Sequence, residues 1–196
     1  MTQANMQNKE VEWLGPDPVD NLYAYEQIPS RFTTSHAMDV MSGEAGFRLV
    51  RRMLSAPLHK DYDLLERPSE WPRQFETANW AVFHAKLRGQ RIAGAIVARD
   101  TPGVDMLEGR RDLAVLWDIR VAPAFQGRGI GAGLFRAAAR WAETLGCTEL
   151  KVETQDVNVN ACAFYAAMGC RLEQSTPGAY PELPGESRFI WRKHLA

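Results

Sequence analysis

Residues 113–133, LAVLWDIRVAPAFQGRGIGAG, decide the fold of this chain. The first nine, Leu113 to Val121, are mostly apolar and rich in Val, Ile and Trp, a composition typical of a buried strand. Pro123 ends that strand, and four glycines follow at positions 127, 129, 131 and 133. Apolar residues then recur at helical spacing from Leu134 to Leu145. The stretch therefore predicts a strand, a glycine loop and a helix in direct succession.

The glycine loop predicts a binding site for an anion. Glycine lets the backbone approach a bulky ligand closely, and the first N–H groups of a helix have no partner within it. These donors and the helix dipole together favour phosphate. A Walker P-loop is excluded, because no Lys-Ser or Lys-Thr pair follows Gly133. A dinucleotide fingerprint is disfavoured, since several residues separate Val121 from Gly127 and too few remain after Glu153 for a second half-domain.

The composition is that of an ordinary globular protein, with 196 residues, 45% of them hydrophobic and 24% charged. A net charge of −1 does not indicate binding to nucleic acid. No apolar run reaches the roughly 20 residues that span a bilayer. Three cysteines without a C-x-x-C pair favour a reducing, cytoplasmic location. We expect a loose, polar N-terminal segment over residues 1–20 and a single domain over residues 21–196.

The rest of the chain predicts a mixed α/β sheet with helices on its faces. A hairpin is expected over residues 80–98 with its turn at Gly89-Gln90, and a second helix over Val159 to Met168, closed by Gly169. Further strands are expected at 22–28, 150–154, 170–173 and 188–194. Residues 37–54 predict one or two short helices, and residues 57–73 a loop with a short helix.

The loop sequence QGRGIG, Gln126 to Gly131, resembles the Q/R-x-x-G-x-G/A motif of the GNAT superfamily of N-acetyltransferases. Trp117 to Val121 looks like the fourth strand of that superfamily. The motif N-x-x-A-x-x-F-Y-x-x-x-G of its second cofactor helix is matched by Asn158, Ala161, Phe164, Tyr165 and Gly169. Residues 153–165, Ala179-Tyr180 and Phe189-Ile190-Trp191 resemble more narrowly the streptothricin acetyltransferases. Residues 37–79 show no such resemblance.

The resemblance implies a GNAT-like mixed, mostly antiparallel sheet whose fourth and fifth strands splay apart, with helices on both faces. Acetyl-CoA would lie in the gap as the acetyl donor. Asn158 would cap its helix, and Asn160 would bond the pantetheine amides. Arg128 would pair with a phosphate, or be a solvated surface side chain. The remaining cofactor-binding residues, through their backbone groups, would be Ile119, Arg120 and Val121 for pantetheine and Gln126, Gly127, Arg128, Gly129, Ile130, Gly131 and Ala132 for pyrophosphate.

Acetyl transfer to an amine needs a base for the ammonium, stabilisation of the carbonyl oxygen and an acid for the departing thiolate. The resemblance makes Tyr165 the acid. Asp118, Glu153 or water could be the base. An ion pair of Asp118 with Arg120, and a strand-end role for Glu153, are equally open at this point. The four histidines lack ligand spacing, so no metal site is expected.

The resemblance implies an acetyl-CoA-dependent N-acetyltransferase that acts on a primary amine of a small, cationic acceptor, streptothricin-like or polyamine-like. Asp61, Asp63 and Glu66 are candidates to attract such an acceptor. The alternative is a catalytically inert acyl-CoA-binding or sensor module, which would keep the glycine loop without needing Tyr165. Nucleic acid and membrane are not expected as partners, and a homodimer is left open.

Overall fold

The computed structural model describes residues 10–20, 22–43, 46–183 and 185–195, and these form two compact units. The first comprises the described residues within Met1–Ser30, Asp61–Leu150 and Leu195–Ala196, and the second those within Arg31–Lys60 and Lys151–His194. The predicted mixed α/β fold with mostly antiparallel strands is confirmed. The splay of the two central strands and the single domain over residues 21–196 stay predictions. In the described ranges, no helix is both long and apolar enough to cross a membrane.

The described elements follow one another as strands, helices and short 3-10 turns. The strands are β1 (Val11–Asp17), β2 (Phe32–Gly43), β3 (Gly46–Lys60), β4 (Ala81–Leu87), β5 (Gln90–Arg99), β6 (Leu113–Val121), β7 (Glu149–Gln155), β8 (Arg171–Pro177) and β9 (Ser187–His194). The α-helices are α1 (Tyr23–Glu26), α2 (Trp71–Gln74), α3 (Ile130–Thr144) and α4 (Val159–Ala167). The 3-10 turns are Tyr62–Leu64, Pro68–Glu70, Thr77–Asn79, Asp105–Leu107 and Pro123–Phe125.

The first unit contains an antiparallel sheet in the order β1-β4-β5-β6. Its aromatic core lies beside β6, where the ring centroid of Trp117 is 4.9 Å from that of Trp80 and 5.1 Å from that of Phe75. Trp71 meets Trp117 edge-on. Such pairs add to the free energy of apolar burial. They hold residues 71–80, which contain α2 and a 3-10 turn, against the strand that precedes the glycine loop.

The second unit contains the strands β7, β9 and β8 in that order and the two-stranded ribbon β2–β3. Helix α4 packs on β2. Ala37 of β2 is fully buried, and the backbone N–H of Met38 donates to the carbonyl of Asp156 at 3.0 Å. The helix that carries Tyr165 therefore rests on the base of the ribbon.

The helices predicted over residues 37–54 are wrong, since these residues belong to the β2–β3 ribbon. Met38 and Val40 alternate with polar or smaller residues at a period of two, as do Phe47 and Leu49 on the opposite strand. Gly46 has a φ of +104° beside the turn. These four apolar residues have the spacing of a strand, and Gly43 and Gly46 pair with each other at the end of the hairpin.

The loose segment predicted for residues 1–20 is also wrong over the length of β1. This strand pairs with β4 from Val11↔Leu87 onward. Residues 1–9 lie outside the described residues. Main-chain pairing needs no apolar side chain, and most of β1 is exposed, so hydrophobicity gave no signal. The strand predicted over 22–28 is wrong, because this stretch contains the helical turn α1. Tyr25 of α1 is buried, as are Leu22 and Ile28 on either side of the turn, at a spacing of three. The β4–β5 turn lies at Arg88-Gly89, one residue earlier than predicted.

A buried histidine lies on β4 of the first unit. His84 is 5% exposed, its Nε2 lies 3.3 Å from Asp17 Oδ2, and its Nδ1 has no hydrogen-bond partner within the described ranges. Burial, and then the nearby guanidinium of Arg91, lower the pKa of His84 to about 4. An unfolded histidine titrates near pH ~6.5, so between these values only the unfolded chain binds this proton.

We predict that the stability contributed by neutral His84 is complete above pH ~6.5 and is lost as the pH falls toward about 4. Urea midpoints measured near neutral pH and near pH ~5 should fall less on acidification for His84→Gln than for the wild-type chain. The control is His194→Gln, at an exposed position. Equal acid losses in all three proteins would contradict the assignment.

Candidate active site

The loop between β6 and α3 leaves open space in front of its backbone. The side-chain Nε2 of Gln126 donates to the carbonyl of Val121 at 3.0 Å, which ties the loop to the end of β6. Gly127 and Gly129 have φ values of +72° and +80°, in the left-handed region that favours glycine. A Cβ added at either glycine would meet nothing within 4 Å. A bulky ligand can therefore approach the backbone at both positions.

The start of α3 supplies donors and positive potential to that space. Gly129 is the N-cap, and no side chain caps the helix. The N–H groups of the first turn, which includes Ile130, Gly131 and Ala132, have no acceptor within the helix. Arg128 places its Cζ 5.4 Å from the centre of the Phe125 ring, which keeps a cation at the loop. Backbone donors, helix dipole and guanidinium together suit a phosphate group.

Asp118 and Arg120 form an ion pair on β6, which was one of the two open possibilities for Asp118. Arg120 donates to Asp118 Oδ2 from Nε at 2.9 Å and from Nη2 at 2.5 Å. Its Nη1 donates to Asp63 Oδ1 at 2.9 Å and to the carbonyl of Ile28 at 3.1 Å. The guanidinium thus joins three segments of the first unit that are distant in sequence.

The environment of Arg120 keeps it charged. Its side chain is 5% exposed and its Cζ lies 5.2 Å from the centre of the Tyr25 ring. Burial alone would disfavour the charge, but the carboxylates of Asp118 and Asp63 outweigh it and raise the pKa of Arg120. Asp118 is therefore held in an ion pair whose cationic partner is buried.

The backbone of Ile119, Arg120 and Val121 follows β5 on one side. These residues pair with Ala95, Gly94 and Ala93, respectively. Gly94 is required there, because an added Cβ would lie 2.6 Å from Cε2 of the buried Tyr25 ring. The end of β6 therefore lies between a close-packed strand and the glycine loop.

Glu153 has a different environment, in the second unit. It lies on β7, is half-buried, and its Oε1 accepts a hydrogen bond from the Tyr180 hydroxyl at 2.8 Å. Tyr180 belongs to the loop between β8 and β9. Tyr180 lies in a stretch that resembles the streptothricin acetyltransferases, but the sequence indicates no role for it. A contact between residues 27 positions apart produces no periodic pattern in the sequence.

Helix α4 begins as predicted, with Asn158 as its N-cap. The Asn158 side chain accepts a hydrogen bond from the N–H of Ala161 at 3.2 Å. Asn160 is exposed in the first turn, and Tyr165 is 5% exposed. The Tyr165 ring lies 5.2 Å from that of Phe164 and 6.4 Å from that of Trp191. The ring orientation is therefore set by aromatic packing.

The cysteines are buried and free, as expected for residues that pack the core. Burial raises the pKa of Cys162 and of Cys170 to about 11, and it also raises the pKa of Cys147. Thiols of this kind are almost wholly protonated at neutral pH and are poor nucleophiles. None of the three is arranged for covalent catalysis.

Comparison with protein families and curated proteins gives a consistent result. The family model described as "Acetyltransferase (GNAT) family" matches residues 48–170. The chain is 27% identical over 165 residues to streptothricin acetyltransferase of Escherichia coli, across 83% of this chain and 84% of that protein. It is 42% identical over 53 residues to streptothricin acetyltransferase A of Bacillus subtilis (strain 168), across 27% of this chain and 31% of that protein.

Solved structures share the fold. Nourseothricin acetyltransferase superposes with a TM-score of 0.71 at 23% identity, covering 95% of this chain and 99% of that one. A Bacillus anthracis str. Ames protein provisionally named streptothricin acetyltransferase, in complex with acetyl coenzyme A, superposes with a TM-score of 0.73 at 19% identity, covering 94% and 98%. Because the family model spans more than half of the chain, this chain belongs to the GNAT family and is an acetyl-CoA-dependent N-acetyltransferase.

Proposed function

We propose that this enzyme transfers the acetyl group to a primary amine of a small, polycationic acceptor of the streptothricin type. The observation that carries the proposal is the match to the Escherichia coli enzyme, which spans 83% of this chain and 84% of that protein. Both curated relatives are named for streptothricin, which agrees with the resemblance of residues 153–165 to the streptothricin acetyltransferases. A polyamine is the acceptor class that shares the chemistry of several ammonium groups.

The glycine loop is proposed to bind the pyrophosphate of acetyl-CoA. Its donors are the backbone N–H groups from Gly127 to Ala132, with Arg128 as the phosphate's cation. The N–H of Gln126 is not among them, because it donates to the carbonyl of Pro123 at 3.3 Å. The backbone of Ile119 to Val121 is proposed to pair with the pantetheine amides in the manner of a strand. Asn158 and Asn160 are proposed to bond the same arm. The open space at Gly127 and Gly129 supports this assignment.

Tyr165 is proposed to be the acid that protonates the departing thiolate. A free thiol titrates near pH ~8.5 and a phenol near pH ~10, so a phenol of ordinary pKa carries a proton at neutral pH that it can donate to a thiolate. Packing against Phe164 and Trp191 supports the role, because a ring with fixed orientation holds its hydroxyl in one direction.

Glu153 is proposed to be the base for the acceptor ammonium. Asp118 is less suited, because two donors of the buried Arg120 guanidinium occupy one of its oxygens and hold the carboxylate in a fixed ion pair. Among the described residues, the hydrogen-bond partner of the Glu153 carboxylate is the phenol of Tyr180, which carries no positive charge. The carboxylate can therefore attract an ammonium and accept a proton from it. A bridging water is compatible with this role.

Of the three acidic residues expected to attract the acceptor, Glu66 is the one we propose. Asp63 is engaged by Arg120, and Asp61 accepts from Ser30 and from the N–H of Asp63. Glu66 is half-buried, and burial raises the pKa of its carboxyl, with repulsion from Glu70 and Asp118 adding to the effect. A bound cation would relieve that repulsion.

The acceptor is tested by measuring CoA release from acetyl-CoA with streptothricin, a linear polyamine or a peptide with a free N-terminus. We expect turnover with streptothricin, weaker turnover with the polyamine, and only background release with the peptide or with no amine. Turnover of the peptide alone would overturn the acceptor class. CoA release that is independent of any amine would overturn the transfer itself.

The glycine loop is tested by comparing Gly129→Ala with Gly103→Ala. Both glycines have a φ of +80° and open space around an added Cβ, so the two substitutions carry the same backbone strain. We expect only Gly129→Ala to weaken CoA binding, by about tenfold or more in calorimetric titration, because only there does the methyl group meet the ligand. Equal affinities in the two variants would contradict the proposed site.

The acid is tested by Tyr165→Phe, which removes the hydroxyl and keeps the packed ring. We expect kcat to fall by about 10²–10⁴-fold, with little change in the Kd for CoA, because the hydroxyl acts in the transition state. Stopped-flow measurement of a single turnover isolates the chemical step. A variant within a few-fold of wild type would reduce Tyr165 to a packing residue.

A further inference from the structure

The contact between Tyr180 and Glu153 connects the candidate base to a loop that has no other assigned role. The two residues are 27 positions apart, and both are half-buried. The Tyr180 hydroxyl is the donor and Glu153 Oε1 the acceptor, at 2.8 Å. A hydrogen bond to a carboxylate is stronger than one between neutral groups, so this contact restricts the rotation of the Glu153 carboxyl group.

The loop that carries Tyr180 is itself braced. The N–H of Leu183 donates to the carbonyl of Tyr180 at 3.0 Å, and the N–H of Glu186 donates to the carbonyl of Leu183 at 3.0 Å. The N–H of Gly178 donates to the carbonyl of Glu186 at 3.2 Å, which closes the loop across its base. Tyr180 is therefore presented from a turn with its own hydrogen bonds.

A buried ion pair fixes the end of this loop. Glu186 accepts from Lys60 Nζ at 2.7 Å, and the two side chains are 9% and 7% exposed. The next residue, Ser187, donates its N–H to Asp156 Oδ1 at 2.9 Å and accepts from the N–H of Asp156 at 3.0 Å. Breaking a buried pair of this kind is costly, so Glu186 and Ser187 hold the end of the loop in place within the second unit.

We propose that Tyr180 is a positioning residue for catalysis, which holds Oε1 of Glu153 so that Oε2 faces the acceptor ammonium. The inference rests on the proposed role of Glu153 as base. Tyr180 keeps its proton throughout and acts through Glu153 alone.

The proton balance assigns Tyr180 no chemical step. A C–N bond forms as the C–S bond of the thioester breaks. Of the three protons on the ammonium, one stays on the amide nitrogen, one leaves through Glu153 to solvent, and one replaces the proton that Tyr165 gives to sulfur. Orientation of the base is a separate contribution, since displacement of a reacting group by about 1 Å can cost about 10²-fold in rate.

The test is Tyr180→Phe, alone and combined with Glu153→Gln. We expect Tyr180→Phe to lower kcat by about 10- to 100-fold while the KM for acetyl-CoA and the Kd for CoA stay unchanged. In the Glu153→Gln background, the same substitution should have an effect smaller than about twofold, because the group that it positions is absent.

Thr101→Val is the matched control. It removes a buried hydrogen bond of the same kind in the first unit, in which Trp80 Nε1 donates to Thr101 Oγ1 at 2.9 Å, and it should lower the Tm without changing kcat. An unchanged kcat in Tyr180→Phe, or losses that multiply fully in the double variant, would overturn the positioning role. If Glu153→Gln alone keeps the wild-type kcat, the proposed base is wrong, and the positioning role is overturned with it.

Discussion

The buried guanidinium of Arg120 is the interaction on which the first unit most depends. It is held by Asp118 on its own strand, by Asp63 and the Ile28 carbonyl from two other segments, and by the ring of Tyr25. Removing one partner of such a network leaves an uncompensated buried charge, which typically costs about 3–5 kcal/mol. The network thereby fixes the end of β6 directly before the glycine loop.

The ion pair with Arg120 distinguishes Asp118 from Glu153, the other carboxylate considered as the base. Asp118 is committed to a cation that burial cannot neutralise, since its acidic partners raise the pKa of Arg120. Glu153 accepts from a phenol, which orients the carboxyl group without adding positive charge. Two carboxylates therefore differ in their tasks, because Asp118 belongs to an ion pair in the first unit and Glu153 has a proposed proton-transfer task in the second. The surroundings of each carboxylate support that distinction.

Much of the fold could be predicted from local patterns. The succession of strand, glycine loop and helix over residues 113–145 was confirmed, because apolar periodicity and glycine placement are local signals. The N-cap role of Asn158 was confirmed for the same reason. Strand β1 was missed because main-chain pairing with β4 carries no apolar pattern. The β2–β3 ribbon was missed because its apolar residues were assigned the wrong period.

The candidate site, like the fold, was predictable only where the signal is local in sequence. The glycine loop was readable from sequence, whereas the choice between Asp118 and Glu153 depended on partners that lie far away along the chain. Asp63 is 57 positions from Arg120, and Tyr180 is 27 positions from Glu153. Only the fold brings such groups within hydrogen-bonding distance. Side-chain chemistry can nominate a carboxylate, but its neighbours determine its task.

The most direct test of this division compares Asp118→Asn with Glu153→Gln in one set of measurements. For each variant, the urea midpoint and the single-turnover rate of amine-dependent CoA release are measured. The account predicts opposite patterns: Asp118→Asn lowers the midpoint while keeping most of the rate, and Glu153→Gln keeps the midpoint while losing about 10²-fold or more in rate. A stable Asp118→Asn protein with no activity, beside an active Glu153→Gln protein, would contradict it.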